Sequence, residues 1–110
     1  MERFVKGDVV VLTFPYTDSS KTKKRPALVI ATLKGQNIIL AQITTVKRKD
    51  EDLIRLTKGD FETGFLKQDS FIMCSIITTA ESSTVSYRVG KLKKERIKEV
   101  EEKLCEIFMR

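Results

Sequence analysis

The sequence predicts a mainly β (α+β) fold, a small and strongly bent antiparallel sheet or barrel with a C-terminal amphipathic helix. Short apolar, β-branched segments recur over most of the chain and are separated by turn-forming residues. From Lys93 onward the spacing of apolar residues changes to that of a helix. Strands do not alternate with helices, so a parallel doubly wound sheet is not expected.

Most of the predicted strands are continuous apolar runs, which indicates burial on both faces. The first strand ends at Pro15, because proline cannot donate to a strand ladder. Residues 15–24 are rich in turn formers and are expected to form an exposed loop. Residues 59–64 are expected to be irregular or to form a single helical turn. The strands are predicted over residues 9–14, 27–32, 38–44, 53–56, 71–77 and 84–89.

The predicted helix begins at Lys93 and has about four turns. Its apolar residues recur at the spacing of one helical face, and lysine, arginine and glutamate occupy the other face. Such a helix is expected to cover an open edge or end of the sheet. The apolar face consists of Ile97, Val100, Leu104, Ile107 and Phe108.

A chain of 110 residues fits one domain, so residues 1–110 are predicted to form a single unit. No run of about 18 apolar residues is present, so no membrane span is expected. The N-terminal residues lack the apolar region of an export signal, which predicts a cytoplasmic protein. In that compartment Cys74 and Cys105 are expected to be buried thiols rather than a disulfide.

The charge and the missing residue types narrow the chemistry. A net charge of +6 favours a polyanionic partner, most often nucleic acid, although a lysine-rich surface can also serve only solubility. The chain has no histidine, which excludes Ser-His-Asp and Cys-His nucleophile systems. Two cysteines without histidine are too few for a structural zinc site. The sequence therefore predicts neither a metal nor a cofactor.

A basic cluster directly precedes the second predicted strand, at Lys21, Lys23, Lys24 and Arg25. Pro26 restricts Arg25 to an extended conformation at the start of a buried strand, which fixes its backbone. A guanidinium on a rigid base can hold a phosphate through two hydrogen bonds. The alternative interpretation is an ordinary solvated loop.

Two further stretches are candidates for binding residues. The third strand ends in Thr44 and Thr45, just before the basic residues 47–49, although threonine is also a common strand residue. Asp69 and Ser70 precede the fifth strand and are typical of a turn. The acidic residues Glu51, Asp52, Asp60 and Glu62 are interpreted as solvated loop residues, because their spacing does not suggest a metal site.

Taken in order, these segments resemble the MazF/PemK (CcdB-like) toxins of type II toxin–antitoxin systems. The similarity extends over nearly the whole chain, and the ordered set of motifs is more specific than any one of them. The matching segments are Gly7-Asp8-Val9-Val10, Phe14-Pro15-Tyr16-Thr17, Lys24-Arg25-Pro26-Ala27-Leu28-Val29-Ile30, Ile38-Ile39-Leu40-Ala41-Gln42-Ile43-Thr44 and Val89-Gly90-Lys91-Leu92.

The resemblance implies an SH3-like β-barrel, a homodimer, and cleavage of single-stranded RNA without metal. It also implies a cognate antitoxin whose acidic tail covers the basic groove. In this family the arginine of the Arg-Pro pair and the threonine of the following Ile-Thr pair act in catalysis, which assigns Arg25 and Thr44. The RNA 2′-hydroxyl would attack the adjacent phosphate. Lys21, Lys23, Lys24, Thr45 and Lys47 are expected to bind the substrate.

One segment departs from the family pattern. Many members carry an acidic or polar residue late in the strand that matches residues 71–77, whereas this chain has only Ser75 and Thr78 as polar substitutes there. These two residues are expected to contact substrate, and the general base is unassigned. The alternative is therefore a non-catalytic SH3-like nucleic-acid-binding module or an inactive toxin relic. A gyrase poison is disfavoured, since the chain ends without a Trp-Gly-Ile-like sequence.

Overall fold

A computed structural model describes residues 3–14 and 23–110 of the chain. It contains one sheet of seven antiparallel strands, curled into a half-barrel, and one C-terminal helix, which confirms the predicted fold class. Short 3-10 helices occur at Lys58–Asp60 and Ser82–Thr84. The elements are β1 (Asp8–Phe14), β2 (Lys23–Thr32), β3 (Asn37–Thr44), β4 (Leu53–Leu56), β5 (Phe61–Gly64), β6 (Ser70–Glu81), β7 (Val85–Leu92) and α1 (Lys94–Phe108).

Strand β5 was not expected, since residues 59–64 were predicted to be irregular or helical. A helical turn does occur, but it covers only Lys58–Asp60. The rest pairs with β7, and Gly64 lies opposite Gly90 in that pairing. Two glycines facing each other allow a close backbone approach that the local sequence does not reveal. Strand β6 also runs on to Glu81, four residues beyond the predicted end.

The strands follow the order β4-β6-β3-β2-β1-β7-β5 across the sheet. Alternate residues of β1, β2 and β3 enter two different apolar clusters, one on each face of the sheet. The helix-covered core contains Val9, Leu28, Ala41, Ile43, Ile72, Leu92 and Val100 among others. The opposite core contains Phe4, Val10, Leu12, Phe14, Ala27, Val29, Ile38 and Leu40.

Helix α1 packs most of its predicted apolar face on the helix-covered core, with Val100 fully buried. The prediction is wrong for Phe108, which is 69% exposed in the last turn of the helix. Its first turn is held by Asp60, whose backbone oxygen accepts a hydrogen bond of 2.9 Å from Lys93 N–H. The Asp60 carboxylate also accepts bonds of 2.7 Å from Arg96 Nε and from the backbone N–H of Thr57. One aspartate thus ties the segment before β5 to the start of α1.

The structure corrects the interpretation of two acidic residues as solvated loop positions. Asp60 and Asp52 are 8% and 7% exposed, and each is paired with an arginine. The Asp52 carboxylate accepts hydrogen bonds of 3.2 and 2.7 Å from the two Nη atoms of Arg110, which ties the end of α1 to the loop before β4. Their partners lie far away in sequence, so no local pattern could have identified the pairs.

The Asp60 pairing predicts a pH-dependent contribution to stability. Burial alone would raise the pKa of Asp60, but the hydrogen bonds from Thr57 and Arg96 outweigh it, and the pKa lies below its ordinary value. The ionised form therefore stabilises the fold, and this contribution is lost as the pH falls below about 4. We expect Asp60→Asn to lower Tm most at neutral pH, with the gap to the wild type narrowing below about pH 4. Thermal unfolding at several pH values measures this, and a gap that widens in acid would contradict it.

The two cysteines differ in environment and are both free. Cys74 is buried in the helix-covered core, and burial raises the pKa of its thiol to about 11. Cys105 is exposed on α1, so the prediction that both thiols are buried is wrong for this residue. It occupies the side of the helix that faces away from the sheet.

Candidate active site

The register of the sheet places Arg25 and Thr44 side by side. Strand β2 pairs with β3 through Ala27 opposite Gln42, and extending this register by two residues brings Arg25 opposite Thr44. Residues opposite each other in an antiparallel pair have their Cβ atoms about 5 Å apart. By the alternation of side chains along each strand, both lie on the face of the sheet that is not covered by α1. The pair predicted from the sequence thus meets at one end of that face.

The backbone of Arg25 lies within β2 and is paired with β1. Leu12 of β1 lies directly opposite it, and Pro26 follows it within β2. The Arg25 residue is partly buried, and its Nε atom is buried. The backbone of Arg25 is therefore held by the sheet, and a planar guanidinium on such a base can hold a phosphate through two hydrogen bonds.

Thr44 is 8% exposed at the last position of β3. Its Oγ1 accepts a hydrogen bond of 3.1 Å from the backbone N–H of Val46, which fixes the hydroxyl as the chain turns away from the sheet. A hydroxyl that accepts one bond still has its own hydrogen to donate. Thr44 can therefore donate to a phosphate oxygen held by Arg25.

The predicted substrate-binding lysines are dispersed around this pair. Lys23 and Lys24 are exposed at the start of β2, opposite Phe14 and Thr13 respectively. Lys23 shares the face of Arg25, while Lys24 points to the other face, because side chains alternate along a strand. Lys21 lies outside the described residues. Thr45 and Lys47 are exposed in the loop that follows β3, next to Thr44.

Ser75 and Thr78 are farther from the pair. The pairing of β3 with β6 is shifted between Ala41 and Gln42, which places Ser75 in a bulge of β6, where it is exposed. Thr78 lies opposite Leu40, on the same face as Thr44 but about 13 Å away along the strand. The structure therefore does not bring Thr78 next to Arg25 and Thr44.

Two residues that no sequence motif indicates lie beyond Thr44 on the next two strands and form a row with it. Phe71 of β6 lies opposite Thr44, and Arg55 of β4 lies opposite Phe71. Arg55 Nη2 is 3.2 Å from Asp69 Oδ2 in an exposed ion pair. Only the strand register reveals this row, since its members are widely separated in sequence.

Other features of the described residues lie away from this row. Within residues 3–14 and 23–110, no group of three or more acidic or cysteine side chains could hold a metal ion. In the same part of the chain, no helix is long and apolar enough to cross a membrane. A cavity of about 560 Å³ lies at the other end of the sheet, beside Phe4 and the turn between β2 and β3.

The chain thus forms a small curled sheet with a partly buried arginine beside a threonine, two side chains that can both donate hydrogen bonds to a phosphate. The chain belongs to the family of PemK-like, MazF-like toxins of type II toxin–antitoxin systems, whose family model matches residues 5–108. A search of curated proteins found no match.

Solved structures of similar fold agree with this family. The Mycobacterium tuberculosis toxin MazF-mt6 has a TM-score of 0.72 at 20% identity, over 92% of this chain and 95% of that one. A mycobacterial endoribonuclease in complex with its cognate antitoxin has a TM-score of 0.77 at 12% identity, covering 96% and 95%. The MazE-MazF structure from Deinococcus radiodurans has a TM-score of 0.76 at 15% identity, covering 94% of each chain.

Proposed function

We propose that this protein is the toxin of a type II toxin–antitoxin pair and cleaves single-stranded RNA without a metal ion. The observation that carries the proposal is the register of β2 and β3, which brings Arg25 opposite Thr44 when it is extended by two residues. The fold neighbours that are described as endoribonucleases support the same reaction class. The chain of residues 1–110 would act as one domain.

The proposed reaction suits a chain without histidine, because the RNA supplies its own nucleophile. The ribose 2′-oxygen forms a new bond to the adjacent phosphorus, and the bond from phosphorus to the 5′-oxygen breaks. The products are a 2′,3′-cyclic phosphate and a free 5′-hydroxyl. Arg25 stabilises the charge on the phosphorane, and Thr44 donates to one of its oxygens. The 2′-hydroxyl gives up a proton, and the leaving 5′-oxygen gains one.

The proposed partners follow from the charge and from the family. Arg25 has Lys23 and Lys24 beside it and Lys47 in the neighbouring loop, so this end of the sheet carries positive charge for RNA or for the acidic tail of a cognate antitoxin. The neighbours determined with antitoxins support the second partner. We also infer a homodimer that works in the cytoplasm.

A second candidate function is a non-catalytic RNA-binding module. The observation that favours it is the composition of residues 73–78 in β6, which contain no carboxylate to take the 2′-hydroxyl proton. Such a protein would retain RNA in a salt-dependent way and leave it intact.

Incubating the protein with a mixed single-stranded RNA pool in the presence of EDTA tests the proposal. We expect discrete cleavage products from the wild type, and about 100-fold slower cleavage from Thr44→Val, which keeps the shape and removes the hydroxyl. Lys34→Gln, at the far end of the sheet, is the control and should cleave like the wild type. Bound but uncut RNA after prolonged incubation would favour the binding module instead.

A further inference from the structure

The face that carries Arg25 continues across three more strands in a single row. From β2 to β4 the row reads Arg25, Thr44, Phe71 and Arg55. The last three are paired in the sheet, and Arg25 falls opposite Thr44 when the β2–β3 register is extended by two residues. Adjacent strands are about 4.8 Å apart, so the backbones of the two arginines lie about 14 Å from each other. This places a second cation, with an aromatic ring between, at a distance that several nucleotides of an extended strand can span.

The residues of this row have the chemistry of a single-strand binding surface. Phe71 is partly exposed, and an aromatic ring on a sheet surface can stack an unpaired base. Arg55 is 69% exposed in its side chain, and its guanidinium can bind a phosphate. Its position is restrained by Asp69, whose Oδ2 is 3.2 Å from Nη2.

The two ends of this face of the sheet differ in residue type. Towards the other end of the same face, Ala27, Val29 and Leu40 are fully buried in the opposite core. At the Arg25 end, the apolar positions give way to a cation, a hydroxyl, an aromatic ring and a second cation. The Arg25 end of this face therefore differs in composition from the end that forms the opposite core.

We infer that Phe71 and Arg55 extend the active site into a track for single-stranded RNA, which crosses the strands from β2 to β4. Phe71 stacks a base beside the reacting phosphate, and Arg55 binds a backbone phosphate farther along the same strand. This inference rests on the proposed function for the position of the reacting phosphate. Arg55 and Phe71 are binding residues, and the reaction itself remains with Arg25 and Thr44.

The test measures binding separately from cleavage. The probe is a fluorescently labelled RNA of about 12 nucleotides with 2′-O-methyl riboses, which cannot supply the nucleophile. We expect Arg55→Gln to weaken binding about fivefold and to reduce the slope of log K against log salt concentration by about 0.7, because one phosphate contact is lost. We expect Phe71→Leu, which keeps an apolar side chain, to weaken binding about tenfold with an unchanged slope.

Two control variants separate binding from a structural role. Asp69→Asn removes the ion pair but keeps the Arg55 cation, so RNA should bind with equal or greater affinity. If Arg55 acted only through this pair, Asp69→Asn and Arg55→Gln would weaken binding equally, and the inference would be overturned. Lys34→Gln removes a cation at the far end of the sheet and should leave the affinity unchanged. Thermal unfolding of each variant establishes that it is folded.

The outcomes distinguish this inference from the proposed function. If the wild type cleaves unmodified RNA and both variants bind the probe like the wild type, the track is wrong and the nuclease stands. If the wild type binds the probe, depends on both residues and never cleaves, the track stands and the nuclease is wrong. If the variants lose affinity only for an acidic antitoxin peptide, the row is a protein interface and the RNA track is overturned.

Discussion

Replacing Arg25 with alanine is expected to reduce the rate of RNA cleavage by at least about 100-fold, since the phosphorane loses its main source of positive charge. The Arg25 backbone is held within β2, opposite Leu12, whereas the neighbouring lysines are exposed at the start of the strand, so they are not expected to take its place. Arg25→Lys keeps the charge but not the planar pair of donors, and should recover only part of the activity. Single-turnover cleavage of a labelled RNA measures both effects.

Two comparisons distinguish a catalytic role of Arg25 from a general loss of charge or of RNA binding. Lys24→Ala removes a cation from the adjacent position, whose side chain points to the other face, and should change cleavage much less than Arg25→Ala. Binding of the 2′-O-methyl RNA should weaken only modestly in Arg25→Ala, because the effect lies mainly in the reaction step. A variant without Arg25 that cleaves at a rate near that of the wild type would remove this residue from the mechanism.

Gly90→Ala is expected to cause a large loss of stability. A Cβ at Gly90 would lie 2.2 Å from the backbone oxygen of Thr63 and 2.9 Å from the Cα of Gly64. Backbone atoms of a paired strand cannot move aside as a flexible side chain can, so β5 would separate from β7. We expect a loss of about 3 kcal/mol in the free energy of unfolding, and a Tm lower by about 10 °C.

Gly59→Ala provides the matched control for Gly90→Ala. A Cβ at Gly59 would meet only Thr57 Oγ1, at the ordinary contact distance of 3.9 Å. Its effect on Tm should be near zero, or slightly positive because alanine restricts the unfolded chain. Chemical or thermal unfolding of both variants makes the comparison. Equal effects at the two positions would contradict the claim that the close approach of β5 and β7 requires glycine at position 90.

The sequence predicted those elements whose signals are local. The apolar face of α1, apart from Phe108, follows from periodicity, and strands β1, β2 and β3 follow from continuous apolar runs. Strand β5 escaped prediction because its reason is a glycine pair 26 residues apart, Gly64 opposite Gly90. Asp60 was misjudged for the same reason, because its partner Arg96 lies 36 residues away.

The candidate site shows the same division. Arg25 and Thr44 were identified because each belongs to a short motif, and the strand register then placed them opposite each other. Phe71 and Arg55 belong to no motif in this chain, and only the pairing of β6 with both β3 and β4 aligns them with Thr44. Thr78 was selected as a polar substitute within a strand, and the bulge near Ser75 together with the strand length places it far from Thr44.

The chemical ends of the RNA products test the central claim most directly. Mass spectrometry of a cleaved synthetic RNA, incubated with the protein and EDTA, reads both ends of the broken bond. Attack by the 2′-hydroxyl predicts a 2′,3′-cyclic phosphate on one fragment and a 5′-hydroxyl on the other, with no cleavage where a single 2′-O-methyl ribose precedes that bond. Fragments with a 5′-phosphate and a 3′-hydroxyl, or cleavage that persists at the blocked ribose, would contradict the account.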